Sequence, residues 1–274
     1  MKSIALVLTL AACTETRDPL AGTQSLEIEL VTPTSPGDVD HRLLDSERKV
    51  VINIRAKDAE GQLDASFNDT VRVYAQFLGT LTPDLEELPI ASIAVVNGAA
   101  TNQTVNLPAS VLGPTTLWID NGKGVGSEYQ FGAITGTSVT LWYRDPFIRD
   151  LQTPRDEMAV DALSLTPLTD KQVRVGGSRH GATGALVITS TFAQGYTVSD
   201  VNCTTGGPMP AGPCTAGSYD HVLVFTFSAP RDQYGRPIVV GEVIASFSGG
   251  LTEFNGLTEI GFPRTYTASP DRET

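Results

Sequence analysis

The chain has 274 residues, of which 41% are hydrophobic and 18% charged, and its formal net charge is −12. This composition is too apolar for a disordered chain, and the length suits one large domain or two ordinary ones. No run reaches the roughly 18 consecutive apolar residues that a membrane-spanning helix needs. The chain contains only 3 Cys and 3 His, which leaves little material for a metal site.

The amino terminus has the layout of a secretory signal. Lys2 precedes a short apolar run over residues 4–10, and small residues follow in Leu10-Ala11-Ala12-Cys13. The apolar run is too short to cross a bilayer, as is usual for signal peptides. We therefore predict that residues 1–12 are a signal peptide and that the mature chain begins at Cys13.

Leu10-Ala11-Ala12-Cys13 also resembles the lipobox of bacterial lipoproteins, in which the Cys is diacylated. The resemblance implies a lipid anchor on Cys13, with about 0.8 kcal/mol for each methylene buried in the membrane. Residues 13–23 then form a polar tether. The next residue is Thr14, not the Asp that tends to retain such proteins at the inner membrane, so the resemblance implies the bacterial outer membrane. The alternative is a plain secreted protein with a chance Cys.

Cys203 and Cys214 remain as an even pair once Cys13 is lipidated. They bracket a segment rich in Gly and Pro without helix or strand character. Export places both thiols in an oxidising compartment, where such a pair is expected to bond. A metal clip or a redox pair is the alternative, but the loop has no His and the spacing is not Cys-x-x-Cys. We predict a structural disulfide worth about 2–3 kcal/mol.

From Ser25 onward, alternation of period two dominates. Residues 50–57 and 70–77 alternate apolar and polar side chains, with a turn at 58–61 between them. Short strands with frequent turns indicate an antiparallel sandwich. The Asp-x-x-Gly turn and the Asn-x-Thr-Val-x-Val run at 68–73 resemble bacterial immunoglobulin-like modules of surface proteins. The resemblance covers residues 24–143 and implies a spacer or adhesive unit.

Residues 144–166 lose this alternation and are predicted to be a linker, with a helical turn near residues 156–163. The second module follows over residues 167–266 and ends in a tail, 267–274. Gly-Tyr-Thr-Val-Ser-Asp at 195–200 and the strands at 240–260 resemble the OB-fold-like domains found beside bacterial extracellular nucleases. The predicted fold class is all-β, with an N-terminal immunoglobulin-like β-sandwich and a C-terminal OB-like β-barrel.

The sequence contains no recognisable catalytic motif. His41, His180 and His221 lie far apart, and the sequence has no Gly-x-Ser-x-Gly elbow or phosphate-binding loop. We predict no enzyme activity, no cofactor and no metal. The acidic runs at residues 38–40 and 58–64 could offer oxygen ligands to calcium, but they lack an Asp-x-Asp-x-Asp-Gly loop and are favoured as Asx turns.

OB folds bind single-stranded nucleic acids or oligosaccharides. We select Arg174, Tyr196, Arg231 and Tyr234 as candidate ligand-binding residues, with scattered surface arginines as the alternative. Residues 136–274 hold 10 basic against 14 acidic residues, and such a surface repels phosphate chains. We predict a non-catalytic, lipid-anchored envelope or cell-surface protein with a binding, adhesive or scaffolding role and a protein or glycan partner. The alternative is an accessory module that binds oligosaccharide or single-stranded nucleic acid.

Overall fold

A computed structural model of the chain describes residues 22–77, 88–122, 134–156, 165–205 and 211–268. The described part is nearly all β, which confirms the all-β prediction. Cys13 and the predicted signal peptide lie outside the described residues. Within the described ranges, no helix has the length and apolar character needed to cross a membrane.

Eight strands and a short helix precede the barrel. The strands are β1 (Ser25–Thr32), β2 (Lys49–Lys57), β3 (Asp69–Phe77), β4 (Ala91–Val95), β5 (Ala99–Asn106), β6 (Pro114–Asp120), β7 (Thr135–Thr137) and β8 (Leu141–Trp142), and the helix is α1 (Ile148–Gln152). The second half contains β9 (Gln172–Val175), β10 (Gly184–Phe192), β11 (Gly195–Thr205), β12 (Ala211–Thr215), β13 (His221–Phe225), β14 (Val243–Phe254) and β15 (Leu257–Thr267). Two 3₁₀ turns lie at Asp45–Glu47 and Gly181–Thr183.

The first half is built from two sheets that share one hydrophobic core. One sheet has the order β1-β2-β5, and the other has the order β4-β3-β6-β7 with β8 added beside β6. Side chains alternate across a strand, so one face of β2 supplies buried residues while the other faces outward. The buried members from the strands are Leu26, Ile28, Val50, Ile52, Ile54, Ala56, Val71, Val73, Ile93, Val95, Ala100, Val105, Leu117, Ile119 and Leu141.

The two sheets approach each other closely where β7 meets β1. A Cβ atom placed on Gly136 of β7 would overlap the backbone carbonyl of Leu26 in β1. A glycine in a strand often marks such a close backbone approach. The missing side chain at Gly136 therefore allows β7 to lie against the neighbouring sheet.

The second half contains a closed five-stranded barrel. Its strands are hydrogen-bonded in the order β10-β11-β13-β15-β14, and β14 pairs again with β10. All neighbours are antiparallel except β13 and β15, which run parallel. Strand β9 adds to β14 outside this circuit. The buried interior includes Val173, Val175, Leu186, Ile188, Tyr196, Val198, Val222, Val224, Ile244, Phe247, Leu251 and Ile260.

The predicted disulfide between Cys203 and Cys214 is confirmed. The two residues lie directly opposite each other on β11 and β12, with 4.1 Å between their Cα atoms. The segment between them is more regular than predicted, because β11 continues to Thr205 and β12 begins at Ala211. Cys203 packs with Ala185 and Val201 in a small apolar cluster outside the barrel core.

The predicted linker carries a helix that packs onto the barrel. The helix is α1, at residues 148–152, whereas the turn expected near 156–163 falls mainly outside the described residues. Ile148 and Leu151 lie on one face of α1 because they are three positions apart, and both are fully buried in the barrel cluster. The Asp150 carboxylate accepts a hydrogen bond from the Phe147 backbone N–H at 2.8 Å, which caps the helix start.

We expect Gly136→Ala to lower the free energy of unfolding by about 1–3 kcal/mol, since the new methyl group must push β7 away from β1. Urea unfolding of the purified chain measures this loss. Gly177→Ala is the matched control, because its Cβ would meet nothing within 4 Å. Equal unfolding midpoints for the two variants would contradict the close approach of the sheets.

Candidate functional site

The outer side of β10, β11 and β13 forms a continuous surface, which we call the barrel face. Tyr196 and Val198 point into the barrel, so the alternating positions Thr197 and Ser199 point away from its interior. Thr197 is half-buried, and Ser199 is covered by its neighbours. Each outward residue of β11 lies beside an outward residue of β13, and such a pair forms a row across the two strands. Ser199 is opposite His221, Thr197 is opposite Leu223, and Gly195 is opposite Phe225.

Hydroxyl groups occupy the middle of the barrel face. Thr189 Oγ1 lies 2.9 Å from Thr197 Oγ1 and 3.2 Å from Ser199 Oγ. Ser190 Oγ lies 2.8 Å from Thr197 Oγ1, and Ser199 Oγ lies 2.7 Å from His221 Nδ1. We call these five residues the hydroxyl belt. Its members can each donate and accept hydrogen bonds, and Thr189, Ser190 and His221 are exposed.

Three phenylalanines form an aromatic cluster at one end of the barrel face. The ring of Phe227 lies 4.5 Å from that of Phe225 in an edge-on contact. It also stacks on Phe262, with 4.8 Å between ring centroids and 28° between ring planes. Phe227 is 55% exposed and Phe262 is 81% exposed. The cluster therefore presents apolar ring faces to solvent.

Gly195, in the same row, leaves space for one further aromatic ring. Phe225 lies between Gly195 of β11 and Gly261 of β15. A Cβ on Gly195 would come within 2.6 Å of the ring of Phe192, which covers this position from the β10–β11 turn. Any larger residue at Gly195 would displace that ring. Phe192 is thus a further exposed aromatic side chain beside the row, in addition to Phe227 and Phe262.

Both stacked phenylalanines hold an unfavourable backbone conformation. Phe227 has φ 59° and Phe262 has φ 50°, in the left-handed region that bulky residues rarely adopt. Each such residue costs about 1–3 kcal/mol, and residues of this kind cluster at functional sites. Tyr219 is a third aromatic residue in this region, with φ 64°, but it is not part of the aromatic cluster. Phe227 and Phe262 are the two that are both exposed and stacked on each other, and they gain little from burial in the free protein.

Acidic groups border the barrel face. Leu223 of β13 is opposite Glu259 of β15, and Glu253 lies near the adjoining turn, where its carboxylate accepts a hydrogen bond from Thr258 at 2.6 Å. Neither the hydroxyl belt nor the aromatic cluster, both within the described ranges, includes Arg or Lys. The barrel face thus combines aromatic rings, hydroxyls and a negative border.

Tyr196 is not a surface ligand-binding residue, contrary to the sequence prediction. It is 0% exposed, and its hydroxyl lies 2.6 Å from Thr265 Oγ1 inside the barrel. Burial raises its pKa, because the charged phenolate would lose its hydration. Its position in phase with Val198 makes it a core residue, so it cannot contact a ligand outside the barrel.

The other three predicted ligand-binding residues lie on two different parts of the structure. Arg174 lies on β9, whereas Arg231 and Tyr234 lie in the loop between β13 and β14. The Arg231 guanidinium donates to the carbonyl of Gly235, and Tyr234 is exposed with the Arg236 guanidinium 4.9 Å from its ring centre. The four predicted residues do not form one site. The aromatic cluster was missed, although Phe-Thr-Phe at 225–227 is a signal in the sequence.

The acidic runs considered for calcium form turns. One Asp38 carboxylate oxygen accepts backbone N–H bonds from Asp40 at 2.8 Å and His41 at 2.7 Å. These bonds hold the pKa of Asp38 below its usual value, the Asp40 N–H most strongly. Asp58 likewise accepts bonds from two backbone N–H groups, which supports the Asx-turn interpretation. Across the described ranges, no three His, Cys, Asp or Glu side chains converge as metal ligands do.

Buried charges fasten the loop after β9 to the barrel. Arg179 donates two hydrogen bonds to the Asp220 carboxylate, at 2.8 and 2.7 Å. Asp200 accepts from the Arg179 backbone N–H at 2.9 Å and from the Ser178 hydroxyl. The Asp220 side chain is 0% exposed, and its pKa is lowered chiefly by the hydrogen bonds from Arg179. This group of residues is a structural ion-pair network.

We expect Arg179→Met to lower the free energy of unfolding at pH 7 by about 3–5 kcal/mol, because it leaves a buried carboxylate unpaired. The folded pKa of Asp220 lies below its unfolded value, so its contribution is present above pH ~4 and is lost as pH falls through the folded pKa. The penalty should therefore shrink at pH 3, measured by urea unfolding at both pH values. Arg55→Met, which removes an exposed pair with Glu29, is the control. A penalty independent of pH would contradict the assignment.

Comparison with known proteins gives no match: no family model, no curated protein and no solved structure is significantly similar to this chain. A functional proposal for the chain therefore rests on its own residues, and above all on the barrel face.

Proposed function

We propose that the chain is a non-catalytic binding protein of the bacterial envelope, whose barrel binds an uncharged oligosaccharide on the barrel face. One observation carries this proposal. Phe227 and Phe262 are stacked, exposed and both held in a left-handed backbone conformation. A ligand that covers the two rings supplies the burial that they lack in the free protein.

Aromatic rings combined with hydroxyl groups match the chemistry of a sugar. A pyranose ring has an apolar C–H face, which can stack on Phe227 or Phe262, and a rim of hydroxyl groups. The exposed hydroxyls of Thr189 and Ser190 and the His221 ring can exchange hydrogen bonds with that rim. A few convergent polar groups beside an apolar contact are typical of ligand sites.

The charge of the barrel face favours an uncharged ligand over a nucleic acid. Glu253 and Glu259 border the barrel face, and the whole chain has a net charge of −12. Sites for single-stranded nucleic acid combine aromatic rings with a positively charged groove. The barrel face has the rings without that groove, so we retain the oligosaccharide alternative and reject the nucleic-acid alternative.

We also propose that residues 167–266 form an OB-like barrel and residues 24–143 an immunoglobulin-like sandwich. The five-stranded closure with one parallel pair supports the first assignment, and the two sheets around one core support the second. OB folds bind oligosaccharides on the face of their second and third strands. Here those strands are β11 and β13, which carry most of the barrel face.

The proposed location is the outer membrane, with Cys13 as the lipid attachment site. The lipobox-like sequence and the polar residues that follow it support this assignment. The immunoglobulin-like module then acts as a spacer between the lipid and the barrel, and the barrel is the binding unit.

We expect Phe227→Ala and Phe262→Ala each to weaken oligosaccharide binding by about tenfold, because each removes one stacking surface. A glycan array read with the purified full chain identifies the ligand, and calorimetry then compares the variants. Tyr234→Ala is the matched control, since Tyr234 is a similarly exposed aromatic residue farther along the β13–β14 loop and outside the aromatic cluster.

Three results would contradict this proposal. The first is the absence of any glycan binding, and the second is equal loss of binding in Tyr234→Ala. The third is salt-sensitive binding of single-stranded oligonucleotides, which would mean that phosphate contacts dominate despite the acidic border.

We expect Cys13→Ser to abolish incorporation of labelled palmitate and to release the protein from the membrane fraction, because the thiol is the proposed acylation site. Fractionation of expressing cells, with the Cys203→Ser variant as the control, measures both effects. Unchanged labelling in Cys13→Ser would contradict the lipid anchor without bearing on the barrel face.

A further inference from the structure

A cavity lies where the sheets of the first half meet the barrel. The strands that line it are not those of the barrel face. Its volume is about 310 Å³, and we call it the arginine cleft. Leu112 and Trp142 line it from the first half, and Gln172 and Arg174 line it from β9. Arg42 and Asp145 also line it, so that together with Arg174 three charged side chains face one another there.

Backbone pairing sets the position of each charged residue. The Leu43 N–H donates to the Trp142 carbonyl at 2.7 Å, which places Arg42 beside β8. Asp145 follows β8 by three residues and packs against Gly176, where an added Cβ would lie 2.9 Å from the carboxylate. Arg174 is opposite Ser248 in the β9–β14 pair. Three distant parts of the chain thus meet at one point.

The two arginines share a single carboxylate at long range. Arg42 Nη2 lies 3.7 Å from Asp145 Oδ1, and Arg174 Nε lies 3.9 Å from Asp145 Oδ2. Both distances exceed those of hydrogen bonds, so neither guanidinium is satisfied by Asp145. The group has a net charge of +1 within a chain of net charge −12. The arginine cleft is therefore a local attractor for anions.

Arg42 has unused hydrogen-bonding capacity. Its Nη1 is buried and has no hydrogen-bond partner among the described residues. A buried donor without a partner costs about 1–3 kcal/mol, and such groups are rare. The guanidinium lies 5.2 Å from the Trp142 ring centre, and 21% of the side chain stays exposed. Arg42 therefore retains a donor that its neighbours in the described residues do not use.

We propose that the arginine cleft binds a ring-shaped ligand that carries one carboxylate, such as a uronic acid unit of a saccharide. A carboxylate matches the planar fork of a guanidinium, and the ring can pack against Trp142 and Leu112. One negative charge neutralises the net charge of the cleft. A phosphate dianion would leave the cleft with a net charge of −1, so a carboxylate is the better match.

This site goes beyond the proposed function and is independent of it, because it lies on β8 and β9 and uses no residue of the barrel face. The two sites can be tested separately. Loss of binding in the arginine cleft should leave binding at the aromatic cluster unchanged.

Titration of the purified full chain with D-glucuronate tests the proposal. It is followed by tryptophan fluorescence in a Trp118→Phe background, where Trp142 is the one remaining tryptophan. We expect saturable quenching that D-glucose does not produce and that inorganic phosphate reproduces only weakly. Arg42→Gln and Arg174→Gln should each weaken glucuronate binding at least about tenfold, because each removes a charged hydrogen bond. Asp145→Asn should tighten binding, since it raises the net charge of the cleft.

Arg55→Gln is the matched control, because Arg55 forms an exposed ion pair on β2 outside the cleft. Arg174 is half-exposed, so Arg174→Gln tests the proposal even where Arg42→Gln disturbs folding. Absence of quenching by glucuronate up to about 10 mM would overturn the proposal. So would affinity unchanged in Arg174→Gln, which would leave Asp145 as a purely structural link between the two halves.

Discussion

The short pairing between β10 and β14 closes the barrel, and both proposed sites depend on that closure. Leu186 lies opposite Ile244 and Val187 opposite Val243, so the first and last strands of the circuit meet over only a few residues. Closure fixes which side of every strand is interior. The same constraint places Thr197 and Ser199 outward. It also leaves the outer edge of β14 available to β9, whose Arg174 reaches the arginine cleft.

Several features could be predicted from the sequence because they depend on local pattern. Period-two alternation at residues 50–57 predicts β2, and two cysteines behind a predicted export signal predict a disulfide. Tyr196 was assigned to the surface because its residue type suits ligand stacking, although its phase with Val198 indicates burial. The arginine cleft could not be predicted, since residues 42, 145 and 174 meet only through tertiary pairing. Exposure of Phe227 depends on the loop after β13, and exposure of Phe262 depends on a register shift between β14 and β15; the sequence specifies neither.

Charge distributes unevenly over this chain. The net charge is −12, yet the arginine cleft concentrates positive charge between the two halves, and the barrel face has an acidic border. The net charge therefore bears on solubility and on the long-range repulsion of phosphate chains. The preference for a particular ligand depends instead on small groups of neighbouring residues. The two sites we propose would read different parts of a saccharide: ring faces at the aromatic cluster and a carboxylate at the arginine cleft.

The disulfide hairpin also limits the size of what the barrel face can hold. Cys203 and Cys214 bring β12 alongside β11, and their apolar cluster lies at the end of the barrel face opposite the phenylalanines. Between these two limits, β13 runs from His221 to Phe225, a span of about 13 Å at the usual rise per residue. The proposed binding surface is thus a short stretch that ends at the disulfide hairpin. A long polymer would be gripped at a terminus or along a brief internal stretch, which makes chain length itself a determinant of selectivity.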